Sequence, residues 1–201
     1  MYLSKLELNP ASRQVIAELK NPYQMHRTLS KAFNRESDSY KRARVLFRVE
    51  NLKNGSVPYA LVQALVEPDW SFLDSNGSYL ASPPQTKQVN PVFSRGQLLR
   101  FRLLANPTVK RNGKRLGLQD TEQQIQWLRR KGEQHGFTLH SVDADFRGRA
   151  ISPDINANHI AVLFNGVLEV TDSVAFGSAV ETGIGSAKGF GFGLLSVAPL
   201  R

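Results

Sequence analysis

Between Asn21 and Phe33 the chain carries side chains suited to chemistry on a phosphodiester. Tyr23, His26, Arg27, Ser30 and Lys31 recur at spacings of three and four, which places them together on one face of an α-helix. His26 can gain or lose a proton near neutral pH. Tyr23, one turn away, can donate a hydrogen bond or position a proton. Arg27 and Lys31 can neutralise phosphate and the charge that builds in a pentacoordinate transition state. No carboxylate interrupts the stripe. An ordinary surface face with a half-buried, hydrogen-bonded His26 is the competing reading.

The helix itself is well signalled. Asn21 is a favoured N-cap and Pro22 stands at the first helical position, where proline is best tolerated. Met25, Leu29 and Ala32, with Phe33 at the border, fall on the opposite face and predict burial against a core.

The wider composition points to a polyanionic partner. The 201 residues carry a formal net charge of +9, with a pI near 10.0. Six basic residues (Arg100, Arg102, Lys110, Arg111, Lys114, Arg115) lie between Gly96 and Gln119 without an acid. Another seven between Arg27 and Arg48 face only Glu36 and Asp38. Neither segment has the pattern of a membrane-surface helix, so nucleic acid is the expected partner. There is no apolar run long enough to cross a bilayer and no leader, so a cytoplasmic protein without a membrane partner is expected. With no cysteine, disulfides and the usual structural zinc ligands are excluded. His135 and His140 lie five apart without a supporting carboxylate. They and His159 read as surface or satisfied core residues, so no metal or other cofactor is expected.

The order of elements gives the architecture. Residues 2–8 alternate as a strand, with Leu3, Leu6 and Leu8 around Lys5 and Glu7. Residues 11–19 are weakly helical, and the His26 helix follows. Beyond the polar residues 34–41, residues 45–50 and 58–66 read as strands about an Asn54-Gly55 turn. A turn or short helix from Glu67 ends near Asn76-Gly77, before a strand near Tyr79. This is the βαββαβ order of a ferredoxin-like domain. Residues 83–91 read as a linker, dividing an N-terminal domain (1–88) from a C-terminal one (89–201).

The second half repeats the order. Residues 97–105 form a strand on which Arg100 and Arg102 share one face. Lys110, Arg111, Lys114 and Arg115 read as a basic hairpin around Asn112-Gly113, expected to contact phosphate; a solvated loop is the alternative. Residues 120–135 form a helix, held by Ile125, Trp127 and Leu128 and ended by Gly136. Strands follow at 137–142 and 160–170, the latter turning at Asn165-Gly166; residues 143–158 read as a loop or weak hairpin. Thr171-Asp172 caps a helix over 173–182, and residues 194–198 close the sheet. The fold class is therefore α+β, with two tandem ferredoxin-like domains.

Residues 183–193 hold five glycines, preceded by a helix and followed by a strand. That is the reverse of a dinucleotide fingerprint. Backbone N–H groups at Gly189 and Gly191, with Lys188, are expected to approach an RNA backbone or the neighbouring domain; a tight connection that needs small residues is the alternative.

Taken together, several stretches resemble the CasE family of type I-E CRISPR-associated repeat endoribonucleases, within the RAMP superfamily. They are Met1-Tyr2-Leu3-Ser4-Lys5, Tyr23-Gln24-Met25-His26, residues 100–107, Gln126-Trp127-Leu128 and the glycine-rich 183–196. Residues 143–158 match least. The resemblance implies tandem ferredoxin-like domains and a metal-independent cut in the repeat hairpin of precursor CRISPR RNA. The 2′-OH would attack the adjacent phosphate, leaving a 2′,3′-cyclic phosphate and a 5′-OH. It implies His26 as general acid or base, Tyr23 as its partner, and Arg27 and Lys31 as phosphate stabilisers. It further implies retention of the mature CRISPR RNA among the other subunits of Cascade. A non-catalytic RAMP-type scaffold that only binds guide RNA is the alternative.

Overall fold

The computed structural model describes residues 1–33, 38–50, 56–74 and 78–200, without the side chains of 38–40, 74 and 114. The turns expected at Asn54-Gly55 and Asn76-Gly77 lie outside these residues, as do positions 34–37. The chain divides into two compact units. The first comprises Met1–Asn90 with the segments Ile151–Ala157 and Gly189–Gly191; the second comprises Pro91–Ala150, Asn158–Lys188 and Phe192–Arg201.

In the first unit the order is β1 (Tyr2–Glu7), α1 (Arg13–Lys20), α2 (Pro22–Leu29), α3 (Asp38–Ala43), β2 (Leu46–Glu50), β3 (Tyr59–Ala64), α4 (Ser71–Asp74) and β4 (Gln85–Gln88). The strands lie in the order β2-β3-β1-β4, antiparallel throughout. Met25, Leu29, Ala32 and Phe33 are buried as their spacing predicts, in one cluster with Leu6, Leu8, Phe47 and Val62. Strict alternation in β1 moves Leu3 to the Lys5 face. Ser4 takes the core position instead, its hydroxyl accepting from Trp70 Nε1 at 3.0 Å. The last strand does not fall near Tyr79, where a single bridge joins Leu8 to Leu80. It falls at β4, inside the segment read as a linker. All four β4 residues are exposed, so this edge strand carries no apolar alternation to mark it, and prolines flank rather than interrupt it.

One buried acid ties the helices to this sheet. Glu18 is 6% exposed and accepts hydrogen bonds from Gln14 Nε2 (2.8 Å), Thr28 Oγ1 (2.7 Å) and the Tyr79 hydroxyl (2.6 Å). Thr28 lies on α2, so this carboxylate joins α1 to the His26 helix. Burial, and then the Glu18 charge, push the Tyr79 phenol above its ordinary range.

The second unit runs β5 (Leu98–Ala105), β6 (Thr108–Arg111), β7 (Lys114–Gly117), α5 (Thr121–Gln134), β8 (Phe137–Ser152), β9 (Ala157–Val170), α6 (Ser173–Thr182) and β10 (Leu195–Pro199). Its main sheet has the order β10-β5-β9-β8, and β6-β7 form a separate ribbon. Both sheets thus have the ferredoxin-like strand order, and the fold is α+β with two tandem βαββαβ units. Asp120 and Asp172 cap α5 and α6 through their carboxylates. Gly136, at φ +71°, leaves α5 where an added Cβ would stand 2.4 Å from the Asp172 carbonyl oxygen.

One expectation is narrowed and one corrected here. Residues 143–158 are not a loop but the hairpin given as its alternative: β8, 16 residues long, ends among them at Ser152, and β9, 14 residues long, begins among them at Ala157. They meet at a 3₁₀ turn, Pro153–Ile155. The apolar period is weak because β8 is an edge strand exposed along most of its length. Nor does the chain turn at Asn165-Gly166, which lies within β9. Gly166 is there because the neighbouring backbone is close; an added Cβ would lie 2.0 Å from the Ser141 carbonyl oxygen. Among the described residues no helix is long and apolar enough to cross a membrane.

Removing the Glu18 carboxylate leaves buried Thr28 and Tyr79 hydroxyls without their acceptor. Glu18→Ala should lower unfolding free energy by about 2–4 kcal/mol, measured as a shift in the urea midpoint.

Candidate active site and nucleic-acid interface

α2 is placed by its apolar face. Met25 and Leu29 are fully buried, which turns His26 and Tyr23 to the opposite side, half-buried, and leaves Arg27 and Lys31 exposed. The His26 ring lies 6.1 Å from the Phe47 ring, tilted by 36°. Gly189 stands against the same imidazole, where an added Cβ would be 3.8 Å from Cγ and Nδ1. Tyr23 stacks on Phe190 at 5.7 Å between centroids and 28° between planes. The glycine-rich segment therefore supplies the wall behind Tyr23 and His26. Gly191, at φ +84°, passes beside Phe47, where an added Cβ would be 3.3 Å from Cε2.

Ser30 departs from the predicted stripe. It is 1% exposed, in the 3₁₀ turn Ser30–Ala32 that follows α2.

Asn21 stands at the N-cap position, but its side chain makes no capping hydrogen bond. Its Nδ2 instead donates to Asp154 Oδ1 at 3.0 Å, while Gln24 Nε2 donates to Asp154 Oδ2. Gln24 Oε1 in turn accepts from Arg27 NH1 at 3.1 Å. The Asn21 hydrogen bond, with smaller contributions from Gln24 and the Arg27 charge, holds the Asp154 carboxyl below its ordinary range against partial desolvation.

In the second unit Arg100 and Arg102 are exposed on β5 while Leu99, Phe101 and Leu103 face the core. Arg100 lies between Val167 and Ala198, and Arg102 between Asn165 and Ser196. Arg102 Nε donates to Asn165 Oδ1 at 2.8 Å, fixing the guanidinium against the sheet. These residues line a shallow cavity of about 440 Å³ on the sheet's outer face.

The basic ribbon is confirmed in form. Lys110 pairs with Arg115 and Arg111 with Lys114, around Asn112 and Gly113 at φ +48° and +78°, the pattern of a tight hairpin turn. Like charges directly opposite each other destabilise a ribbon, a penalty that a polyanion would relieve. Lys188 Nζ donates to the Thr182 carbonyl at 2.6 Å, so its ammonium lies at the end of α6.

Two of the remaining histidines have local partners. His140 pairs with Glu169 at 2.7 Å. His159 Nδ1 meets Asn106 Nδ2 at 3.1 Å, and burial lowers its pKa. Burial lowers that of His135 too, followed by the charges of Lys131 and Lys188. Among the described residues no three His, Cys, Asp or Glu side chains gather as a metal site.

The structure thus brings Tyr23, His26 and Gly189 together in one unit, and Arg100 with Arg102 in the other. Sequence reasoning missed the supporting residues Phe47, Phe190, Gln24, Asp154 and Asn165. Phe190 lay within the glycine-rich motif, where an aromatic among glycines was a usable signal; Asp154 had none.

A basic protein of two tandem ferredoxin-like units, with a histidine-bearing helix backed by a glycine-rich segment, is of the RAMP class. The family model described as CRISPR associated protein matches residues 1–199. The CRISPR-associated endoribonuclease Cse3 of Thermus thermophilus is 39% identical over 221 residues, covering 99% of this chain and 100% of the relative. The CRISPR system Cascade subunit CasE of Escherichia coli is 33% identical over 217 residues, covering 100% of both. Thermus thermophilus Cse3 bound to an RNA representing a pre-cleavage complex superimposes with a TM-score of 0.89 at 40% identity, covering 98% of each chain. The chain belongs to the Cse3/CasE family of type I-E CRISPR-associated proteins.

Gly191→Ala would force a left-handed backbone on a residue with a Cβ and press on Phe47. It should destabilise the protein by about 1–2 kcal/mol, read as a lower urea midpoint.

Proposed function

We propose that the protein is an endoribonuclease that cleaves the repeat hairpin of precursor CRISPR RNA. The observation that carries the reading is His26, seated on Phe47 and Gly189 beside Tyr23 with exposed Arg27 and Lys31 on the same helical segment, in a chain 39% identical to a named CRISPR endoribonuclease. A subunit that only binds RNA has no use for a titrating group held in this way.

The proposed reaction uses the substrate's own ribose and no metal. The 2′ oxygen attacks the adjacent phosphorus while the bond from phosphorus to the 5′ oxygen breaks. A 2′,3′-cyclic phosphate and a 5′-OH result. One proton leaves the 2′-OH and one reaches the departing 5′ oxygen. His26 carries one of these transfers, as acid or base, with Tyr23 as its partner. Arg27 and Lys31 neutralise the charge on the non-bridging oxygens. Arg100, Arg102, Lys110, Arg111, Lys114 and Arg115 bind the hairpin backbone, and Lys188 with the Gly189 and Gly191 amides contributes further contacts. The mature RNA then stays bound within Cascade, in the cytoplasm; one relative is itself named a Cascade subunit.

His26→Ala should reduce single-turnover cleavage of a repeat hairpin by about 10²–10⁴-fold, while the dissociation constant for the hairpin changes little. Wild-type cleavage by this variant, or lost binding with an unchanged rate for bound RNA, would contradict the assignment.

A further inference from the structure

We infer that Asp154, at the turn between β8 and β9, is a positioning residue for the reaction, acting on Arg27 through Gln24. The inference rests on the endoribonuclease reading above. Asp154 lies in Ile151–Ala157, the segment grouped with the first unit, and is separated from Asn21 by 133 positions in the sequence. Its two carboxylate oxygens are divided between two amides at the start of α2, Oδ1 taking Asn21 Nδ2 and Oδ2 taking Gln24 Nε2.

This division has a directional consequence. An ionised carboxylate only accepts hydrogen bonds, so it fixes Gln24 with its NH₂ toward Asp154. The amide oxygen is then turned away from Asp154, toward Arg27 NH1, which donates to it at 3.1 Å. A Gln24 amide without this partner could present either end to the guanidinium, and the NH₂ end repels it. Asp154 thus selects the amide orientation that holds Arg27, an exposed side chain with many rotamers of its own. The carboxyl remains ionised well into the acid range, since Asn21 above all lowers its pKa.

Positioning has a cost and a use. Asp154 adds a negative charge near a phosphate-stabilising arginine, which opposes RNA binding at that point. Against this, a guanidinium already held by Gln24 on α2 need not be ordered in the transition state. The effect therefore belongs in the rate for bound RNA rather than in affinity. The turn itself is built to present the carboxylate. Pro153 starts a 3₁₀ turn and Asn156, in the left-handed region at φ +48°, ends it.

The test is single-turnover cleavage of a repeat hairpin at saturating protein, with binding measured on a hairpin 2′-deoxy at the cut. Asp154→Ala should lower the cleavage rate about 10-fold, with binding no weaker than that of the wild type and a melting temperature near it. Gln24→Ala, which breaks the same relay from its other side, should give the same loss. In an Arg27→Ala background Asp154→Ala should have no further effect, because the group it positions is gone. A wild-type rate for Asp154→Ala, or a full loss that persists without Arg27, would overturn the inference. If the wild-type protein itself cleaved no repeat hairpin, the endoribonuclease reading would fail instead, and the positioning role with it.

Discussion

The placement of His26 depends on a helix that is buried on one side and backed on the other. Met25 and Leu29 are fully excluded from solvent, so α2 has one rotational setting in the first unit. That setting brings the imidazole over Phe47 and against Gly189. An added Cβ at residue 189 would meet the ring at 3.8 Å, an ordinary contact, whereas one at 191 would come within 3.3 Å of the Phe47 ring. The glycine-rich segment thus walls the imidazole through Gly189 and the phenol through Phe190. Glu18 locks the same helix from its core side through Thr28.

The two units present their candidate residues differently. In the first, the candidates sit on a helical segment, where spacings of three and four bring phenol, imidazole and cationic side chains together. In the second, they sit on a central strand, where period two lines Arg100 and Arg102 on one open sheet face. Asn165 restricts Arg102 from the adjacent strand. Each arrangement follows from local periodicity on a scaffold whose core is built from the opposite face.

Local patterns made much of this legible. The Asn21-Pro22 start, the apolar face of α2, the strand carrying Arg100 and Arg102, and the hairpin turn at Asn112-Gly113 are all short-range signals, and the sheet order follows from them. Features set by distant contacts were not legible. Ser4 enters the core because Trp70 supplies a donor 66 residues away. β4 is wholly exposed, so neither burial nor alternation marks it. Gly166 reads as a turn residue yet answers to the closeness of Ser141. Asp154 became visible only when folding brought it to Asn21 and Gln24. Ser30 likewise fits the polar spacing of the stripe, yet it is buried in the 3₁₀ turn after α2.

The most direct test is cleavage of a short repeat hairpin in excess EDTA, beside the same RNA with a single 2′-deoxy sugar at the cut. A metal-free 2′-OH mechanism predicts a cyclic phosphate product from the first and binding without cleavage from the second. Cleavage of the deoxy substrate, or rescue of activity only by added divalent metal, would contradict it.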